Sequence, residues 1–187
     1  VPSKQTALRL LVLTALIVLL VQGVVFTTPS LRFWEKQAPQ NAPQAHAAHP
    51  LLSIALPDLA QQPQSLAQWS GHVLVLNFWA TWCGPCKEEM PMLDALQKEW
   101  APKGVQFVGI GIDEAENMQT WLKKRPMHYP QWVGNDQTLM LTAPYGNTTQ
   151  GIPFTAVFSA QGDLVAEKLG ALTEKELSGI IANALKL

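Results

Sequence analysis

Val73-Leu-Val-Leu-Asn-Phe-Trp79 runs directly into Ala80-Thr-Trp-Cys-Gly-Pro-Cys86, and this junction decides the fold. The first seven residues are apolar apart from Asn77, the pattern of a strand covered on both faces. Beyond Cys86, Met90, Leu93, Leu96 and Trp100 recur at three and four residues, so a helix follows at once, kinked at Pro91. Working outward, Gln106 to Ile112 is a second apolar strand. Glu116 to Lys124 is a helix stopped by Pro126, and Thr138 to Tyr145 is a short helix. Phe154 to Ser159 and Leu164 to Leu169 are strands joined through Ala160-Gln-Gly-Asp163 as a hairpin. Thr173-Glu-Lys-Glu176 is a capping box opening the last helix, whose apolar face carries Leu177, Ile180, Ile181, Ala184 and Leu185. Strands alternating with helices, then a hairpin and a helix, give an α/β domain with a mixed central sheet flanked by helices, from Ser53 to Leu187.

The remaining third of the chain is different. The 187 residues include only 14% charged side chains, against a usual share of about 25%. The deficit lies at the N-terminus, where Leu10 to Phe26 carries no charge. Counted back to Ala7, past Arg9, the stretch reaches twenty residues, long enough to cross about 30 Å of hydrocarbon as a helix. Lys4 and Arg9 flank it on the N-terminal side, which keeps that end in the cytoplasm and sends the rest across. It is longer than the apolar core of a cleaved signal peptide, and Ala45-His46-Ala47 lies too far downstream for a cleavage site. Residues 1–26 therefore read as an uncleaved signal anchor. Residues 27–52, with Pro29, Pro39, Pro43 and Pro50 among Gln, Ala and Asn, read as a linker. His46 and His49 in that tract are too few to hold a metal and are taken as a chance pair. A net charge of −1 excludes the basic footprint of a nucleic-acid binder.

The chemistry is carried by Trp82-Cys83-Gly84-Pro85-Cys86. At the start of a helix, Cys83 meets unpaired amides and the positive end of the helix dipole, which stabilise its thiolate. Cys86, one turn on, can attack any mixed disulfide that Cys83 forms. Pro85 falls in the first turn, where its missing N–H costs nothing. A zinc knuckle needs a second ligand pair, and no other cysteine exists. A structural disulfide closing so short a loop would remove little chain entropy, and inert cysteines have no use for Gly84 and Pro85. A redox-active dithiol remains.

The stretch Asn77-Phe-Trp-Ala-Thr-Trp-Cys-Gly-Pro-Cys-Lys-Glu-Glu-Met-Pro91 resembles the active site of the thioredoxin superfamily, and most of all its membrane-anchored TlpA/ResA/DsbE-like thiol-disulfide oxidoreductases. Gly151-Ile-Pro153 is similar to the cis-proline loop of that family. The resemblance implies a thioredoxin-like fold with an extra helix and strand between Asp113 and Tyr145, preceded by one transmembrane helix. It implies that Cys83 attacks a partner's disulfide and Cys86 resolves the mixed disulfide, leaving Cys83 and Cys86 oxidised. Trp82 would shield one side of the sulfur, while Ile152 and Pro153 would hold the partner's chain by backbone pairing. The implied partners are a disulfide-bearing extracytoplasmic protein, in cytochrome c maturation or oxidase assembly, and a membrane thiol transporter that supplies electrons. No cofactor is implied. The implied location is the bacterial inner membrane, with the catalytic domain in the periplasm or otherwise outside the cytoplasm. Gly84 and Pro85 resemble reducing members, which suggests a thiolate pKa of about 7 and a potential nearer −270 than −120 mV.

Asn77 stands where thioredoxin has a buried aspartate, and an amide cannot take the Cys86 proton. Asp113 or Glu114, at the end of the second strand, is a candidate proton acceptor, and helix capping is the competing role. Phe154 replaces the family's usual threonine and is expected to make the substrate groove more apolar. Lys87, Glu88 and Glu89 read as first-turn residues around the active site, the glutamates favoured by the dipole. His72 and His128 read as surface residues, and Trp69, Trp100, Trp121 and Trp132 as packing. Two other classes compete. A peroxiredoxin requires threonine three residues before its cysteine, whereas Thr81 is two before Cys83. A tethered copper-binding module could use Cys83 and Cys86 as soft ligands, and copper titration against reductase activity separates it from an enzyme.

Overall fold

In the computed structural model, which describes residues 49–187, the chain enters the fold through one 3-10 turn, Pro50–Ser53. Leu51 and Leu52 are buried there. The folded domain therefore starts before Ser53, because two buried leucines contribute on the order of 3–6 kcal/mol that a solvated linker would forgo. The anchor read over residues 1–26, and the linker apart from its last residues, lie outside the described residues. Among the described residues no helix is long and apolar enough to cross a membrane.

Strands β1 (Ala55–Pro57) and β2 (Pro63–Ser65) form a small antiparallel hairpin. Asp58 closes its turn, its Oδ1 accepting the Ala60 and Gln62 amides. The main sheet consists of β3 (Val73–Trp79), β4 (Val105–Ile112), β5 (Gln131–Gly134), β6 (Phe154–Phe158) and β7 (Leu164–Leu169). Its order is β5-β4-β3-β6-β7, parallel from β3 to β5 and antiparallel from β3 through β6 to β7. The helices are α1 (Gly84–Trp100), α2 (Ala115–Lys124), α3 (Asp136–Met140) and α4 (Glu174–Ala184). The segment between Asp113 and Tyr145 thus holds α2, β5 and α3, and β5 becomes an edge strand of the sheet.

Alternation along β3 divides the interior into two layers. Leu74, Leu76 and Phe78 join Val108, Ile110, Phe154 and Phe158 on one face, under Leu51, Leu52, Trp132 and Tyr145. Val73 and Val75 join Phe107 and Val157 on the other, under Leu93 and Leu96 of α1 and Leu177 and Ile181 of α4. A third cluster, Trp79, Cys83, Cys86, Met90, Met118 and Leu122, closes the C-terminal end of β3. Gly109 and Gly111 on β4 permit this closure. A Cβ on the first would overlap the Gln131 side chain, and a Cβ on the second would overlap Met118.

The helix read over Thr138–Tyr145 is instead two pieces. Asn135 and Thr138 form a capping box that starts α3 at Asp136. The Pro144 ring would strike the Met140 carbonyl in a continuous helix, so a separate 3-10 turn forms at Ala143–Tyr145. The hairpin of β1 and β2 is an addition to the sequence reading. Phe154 lies fully buried against Phe78, so it fills the core and adds nothing to a groove. Trp132 stacks on Trp69, and Trp121 packs on Trp79, as packing residues do. His128 is tied down more firmly than a free surface residue. Its N–H and Nδ1 both meet the Asp94 carboxylate on α1, at 2.5 and 2.9 Å.

Candidate active site

Cys83 is the N-cap of α1, and its sulfur accepts the Cys86 N–H at 3.2 Å. Serine or aspartate usually fills this role. With a thiolate there, the orphan amides of the first turn point at the charge the chemistry must stabilise. The two cysteines are joined as a disulfide with their Cα atoms 5.3 Å apart. Cys83 is 6% exposed and Cys86 fully buried, so an incoming sulfur can reach only the first. Trp82 beside it is 68% exposed. Gly84 lies open, a Cβ there meeting nothing within 4 Å, and Pro85 sits in the first turn. The Ile152–Pro153 peptide is cis, and Ile152 packs against the cluster containing both cysteines. Cys83, Cys86, Trp82, Gly84, Pro85, Ile152 and Pro153 thus gather at one end of the sheet.

Asp113 and Glu114 arrive at the same end, lining with Trp82 a cavity of about 320 Å³. The Asp113 carboxylate is fully engaged. It accepts from the Thr81 amide at 3.0 Å, from the Thr81 hydroxyl in a very short contact, from the Glu114 amide at 2.8 Å and from Asn117 Nδ2 at 2.9 Å. Partial desolvation pushes its pKa up, but these bonds outweigh it and hold the carboxyl below the ordinary aspartate range. Such a group is a poor acceptor for a thiol proton. Its role is to fasten the Thr81 loop to the start of α2. Glu114 is exposed and makes no side-chain cap on that helix.

The buried acid at this site is Glu89. The sequence groups it with Glu88 on the first turn, yet α1 begins at Gly84 and carries no acid in that turn, and of the two residues beyond it Glu88 is exposed and Glu89 buried. Its Oε1 accepts Asn77 Nδ2 at 2.8 Å, and its Oε2 accepts the Leu172 amide at 3.2 Å. Asn77 donates a second bond to Thr155 Oγ1 at 3.0 Å, while its own Oδ1 has no partner. Burial drives the Glu89 pKa up, and the Asn77 and Leu172 bonds only partly offset it. The acid absent from β3 thus comes from α1, one turn after Cys86 and on the same helix face. Two signals in the sequence point to it: the i, i+3 spacing from Cys86, and a lone amide in an apolar strand that has to find a partner.

The sequence profile of the Redoxin family matches residues 36–183. The chain belongs to the Redoxin family. It is 26% identical over 174 residues to a thiol-disulfide oxidoreductase ResA of Bacillus cereus, covering 92% of this chain and 95% of that protein. A thiol:disulfide interchange protein of the thioredoxin family from Chlorobium tepidum TLS superposes with a TM-score of 0.65 at 30% identity, over 73% of this chain and 96% of that one. A thioredoxin-related protein from Neisseria meningitidis serogroup B gives a TM-score of 0.62 at 34% identity, over 71% and 99%. Fold, disulfide and relatives agree: this is a thiol-disulfide oxidoreductase with the thioredoxin fold.

Proposed function

We propose that the chain is a membrane-tethered reductase of disulfides in extracytoplasmic proteins, with Cys83 as nucleophile and Cys86 as resolving thiol. The observation that carries this is the asymmetry of the pair: a reachable sulfur at a helix N-terminus, bonded to a buried one. In the reduced enzyme the Cys83 thiolate attacks a partner disulfide, forming one S–S bond and releasing the partner's other sulfur as a thiolate. The Cys86 thiol, out of water, needs a base to ionise. Glu89, buried one turn away with its pKa raised, takes that proton. Cys86 then displaces the partner's second thiolate, and the two electrons gained by the partner leave a Cys83–Cys86 disulfide. Ile152 and Pro153 hold the partner's backbone, and Trp82 covers one side of the sulfur.

Equilibration of the pair with glutathione tests the direction. A potential nearer −270 than −120 mV supports a reductase, and one near −120 mV overturns it. The uncharged segment 10–26, with Lys4 and Arg9 on its N-terminal side, supports the tether and a periplasmic domain at the bacterial inner membrane. Resistance of the full chain to alkaline extraction from membranes checks that part. A dedicated reducing pathway, such as cytochrome c maturation or oxidase assembly, needs a membrane thiol transporter as electron donor. Acid quenching and alkylation in cells should then find Cys83 and Cys86 mostly as thiols, and as a disulfide once the donor is removed.

A further inference from the structure

The cis-proline loop is held by a side chain with no part in the exchange described above. Asn147 is fully buried, and its amide grips the backbone of Gly151 from both sides. Its Oδ1 accepts the Gly151 N–H at 2.9 Å, and its Nδ2 donates to the Gly151 carbonyl at 2.9 Å. The second Nδ2 hydrogen goes to Thr142 Oγ1 at 2.9 Å, and that hydroxyl donates to the Leu139 carbonyl in α3 at 2.6 Å. Thr142 is also fully buried. The Asn147 N–H donates to the Thr142 carbonyl, and the Gln150 N–H returns to the Asn147 carbonyl. Gln150 itself is turned into the left-handed region, at φ 53°.

A continuous line of bonds therefore runs from α3 through Thr142 and Asn147 to the residue just before Ile152 and Pro153. Gly151 offers no side chain by which packing could fix it. A Cβ there would come within 2.9 Å of a Leu169 methyl, at the end of an exposed side chain that can move aside, so crowding does not fix the loop either. Its peptide orientation has to be imposed through the backbone, and the two directed bonds from Asn147 do that. Burying an amide is costly unless it is satisfied. Here both of its N–H groups and its oxygen are used, which sets the loop to a single geometry. Downstream, the Pro153 carbonyl accepts the Gly170 N–H at 2.8 Å, so the loop is pinned at both ends and Ile152 lies between the pins.

We infer that Asn147, supported by Thr142, is a positioning residue for the partner's backbone: it orients Ile152 for pairing with an extended peptide and leaves the sulfur chemistry alone. The inference rests on the reading that Ile152 and Pro153 hold the partner. It makes partner selection depend on α3 and the Thr142 turn, far along the chain from Cys83.

The test compares two probes on the full reduced chain. One is 5,5′-dithiobis(2-nitrobenzoate), too small to pair with the loop. The other is a short peptide whose single cysteine is a mixed disulfide with thionitrobenzoate. In both, Cys83 forms the new S–S bond and a thiolate leaves. The same-size variant Asn147→Asp puts an oxygen against the Gly151 carbonyl and Thr142 Oγ1. We expect it to lower the ratio of peptide to small-disulfide rate constants about tenfold, through KM for the peptide. Thr142→Val should lower the ratio in the same direction and decides the matter if Asn147→Asp does not fold. An unchanged ratio in a folded variant, or an equal fall in both rates, overturns the inference. If the unaltered chain reacts with neither probe, the redox reading itself falls, and this inference with it.

Discussion

Glu89 and Asp113 stand at the same end of the sheet with pKa values displaced in opposite directions, and the reason is the number of donors each one meets. Glu89 is buried with two donors, so burial dominates and its pKa rises above 4.5. Asp113 is less buried, has four donors, and falls below 3.8. The signs separate their effects on stability. The folded chain binds the Glu89 proton more tightly than the unfolded chain does. Its contribution is therefore fully present below about pH 4.5 and lost as pH rises through the folded value. Asp113 contributes above about pH 3.8 and loses that contribution as pH falls through its depressed value. Thermal melts from pH 4 to pH 8 should show Glu89→Gln gaining on the unaltered chain as pH rises. Parallel profiles would remove burial of Glu89 as the cause. Asp113→Asn should lose most at neutral pH and converge with the unaltered chain in acid. In exchange assays, Glu89→Gln should slow release of the partner by roughly a hundredfold while leaving the first attack by Cys83 close to normal. Cys86→Ser should accumulate the mixed disulfide on non-reducing gels, and Cys83→Ser should form none.

Among the elements, the packing of β4 against β5 is set by one missing side chain. Gln131 lies where a Gly109 Cβ would be, and from there its Oε1 accepts the Trp79 indole N–H at 2.9 Å. Gly109→Ala should break that bond or push the strands apart, costing on the order of 1–3 kcal/mol in denaturant unfolding. A loss below a few tenths would show that Gln131 relaxes freely. The strands with long apolar runs, β3, β4 and β6, are legible in the sequence, as are the capping box of α4 and the cysteine pair at the head of α1. β1 and β2 are not, because each is three residues long and contains a proline, and proline argues against a strand. The extent of α3 is hidden because Pro144 breaks a pattern whose apolar spacing continues past it. Glu89 is only partly legible: its spacing from Cys86 and the lone amide of Asn77 point to it, but adjacent acids early in a helix look alike until the strand beneath them is known. Asn147 carries no signal at all. An Asn-Thr-Thr run in a loop reads as solvated, and only the fold brings Gly151 and Thr142 to it.

For the whole molecule, direction of electron flow and stability are linked. A strong oxidant owes its potential to a reduced form more stable than its oxidised form. If this chain is a reductase, its oxidised form should resist denaturant at least as well as its dithiol form, and the opposite order would mark an oxidant. Denaturant titrations of both forms, with Cys83 and Cys86 kept in a defined state, decide between them. The strand order has a further consequence, which shows in time. β3 is buried along its whole length and is bonded to β4 on one side and β6 on the other. Its amides should therefore exchange with deuterium only through global opening, while those of β7, half-exposed at the edge of the sheet, exchange through local fraying. The loop bearing Cys83 begins where β3 ends. The reactive sulfur turns over within a catalytic cycle while the strand that presents it keeps its hydrogens for the lifetime of the fold.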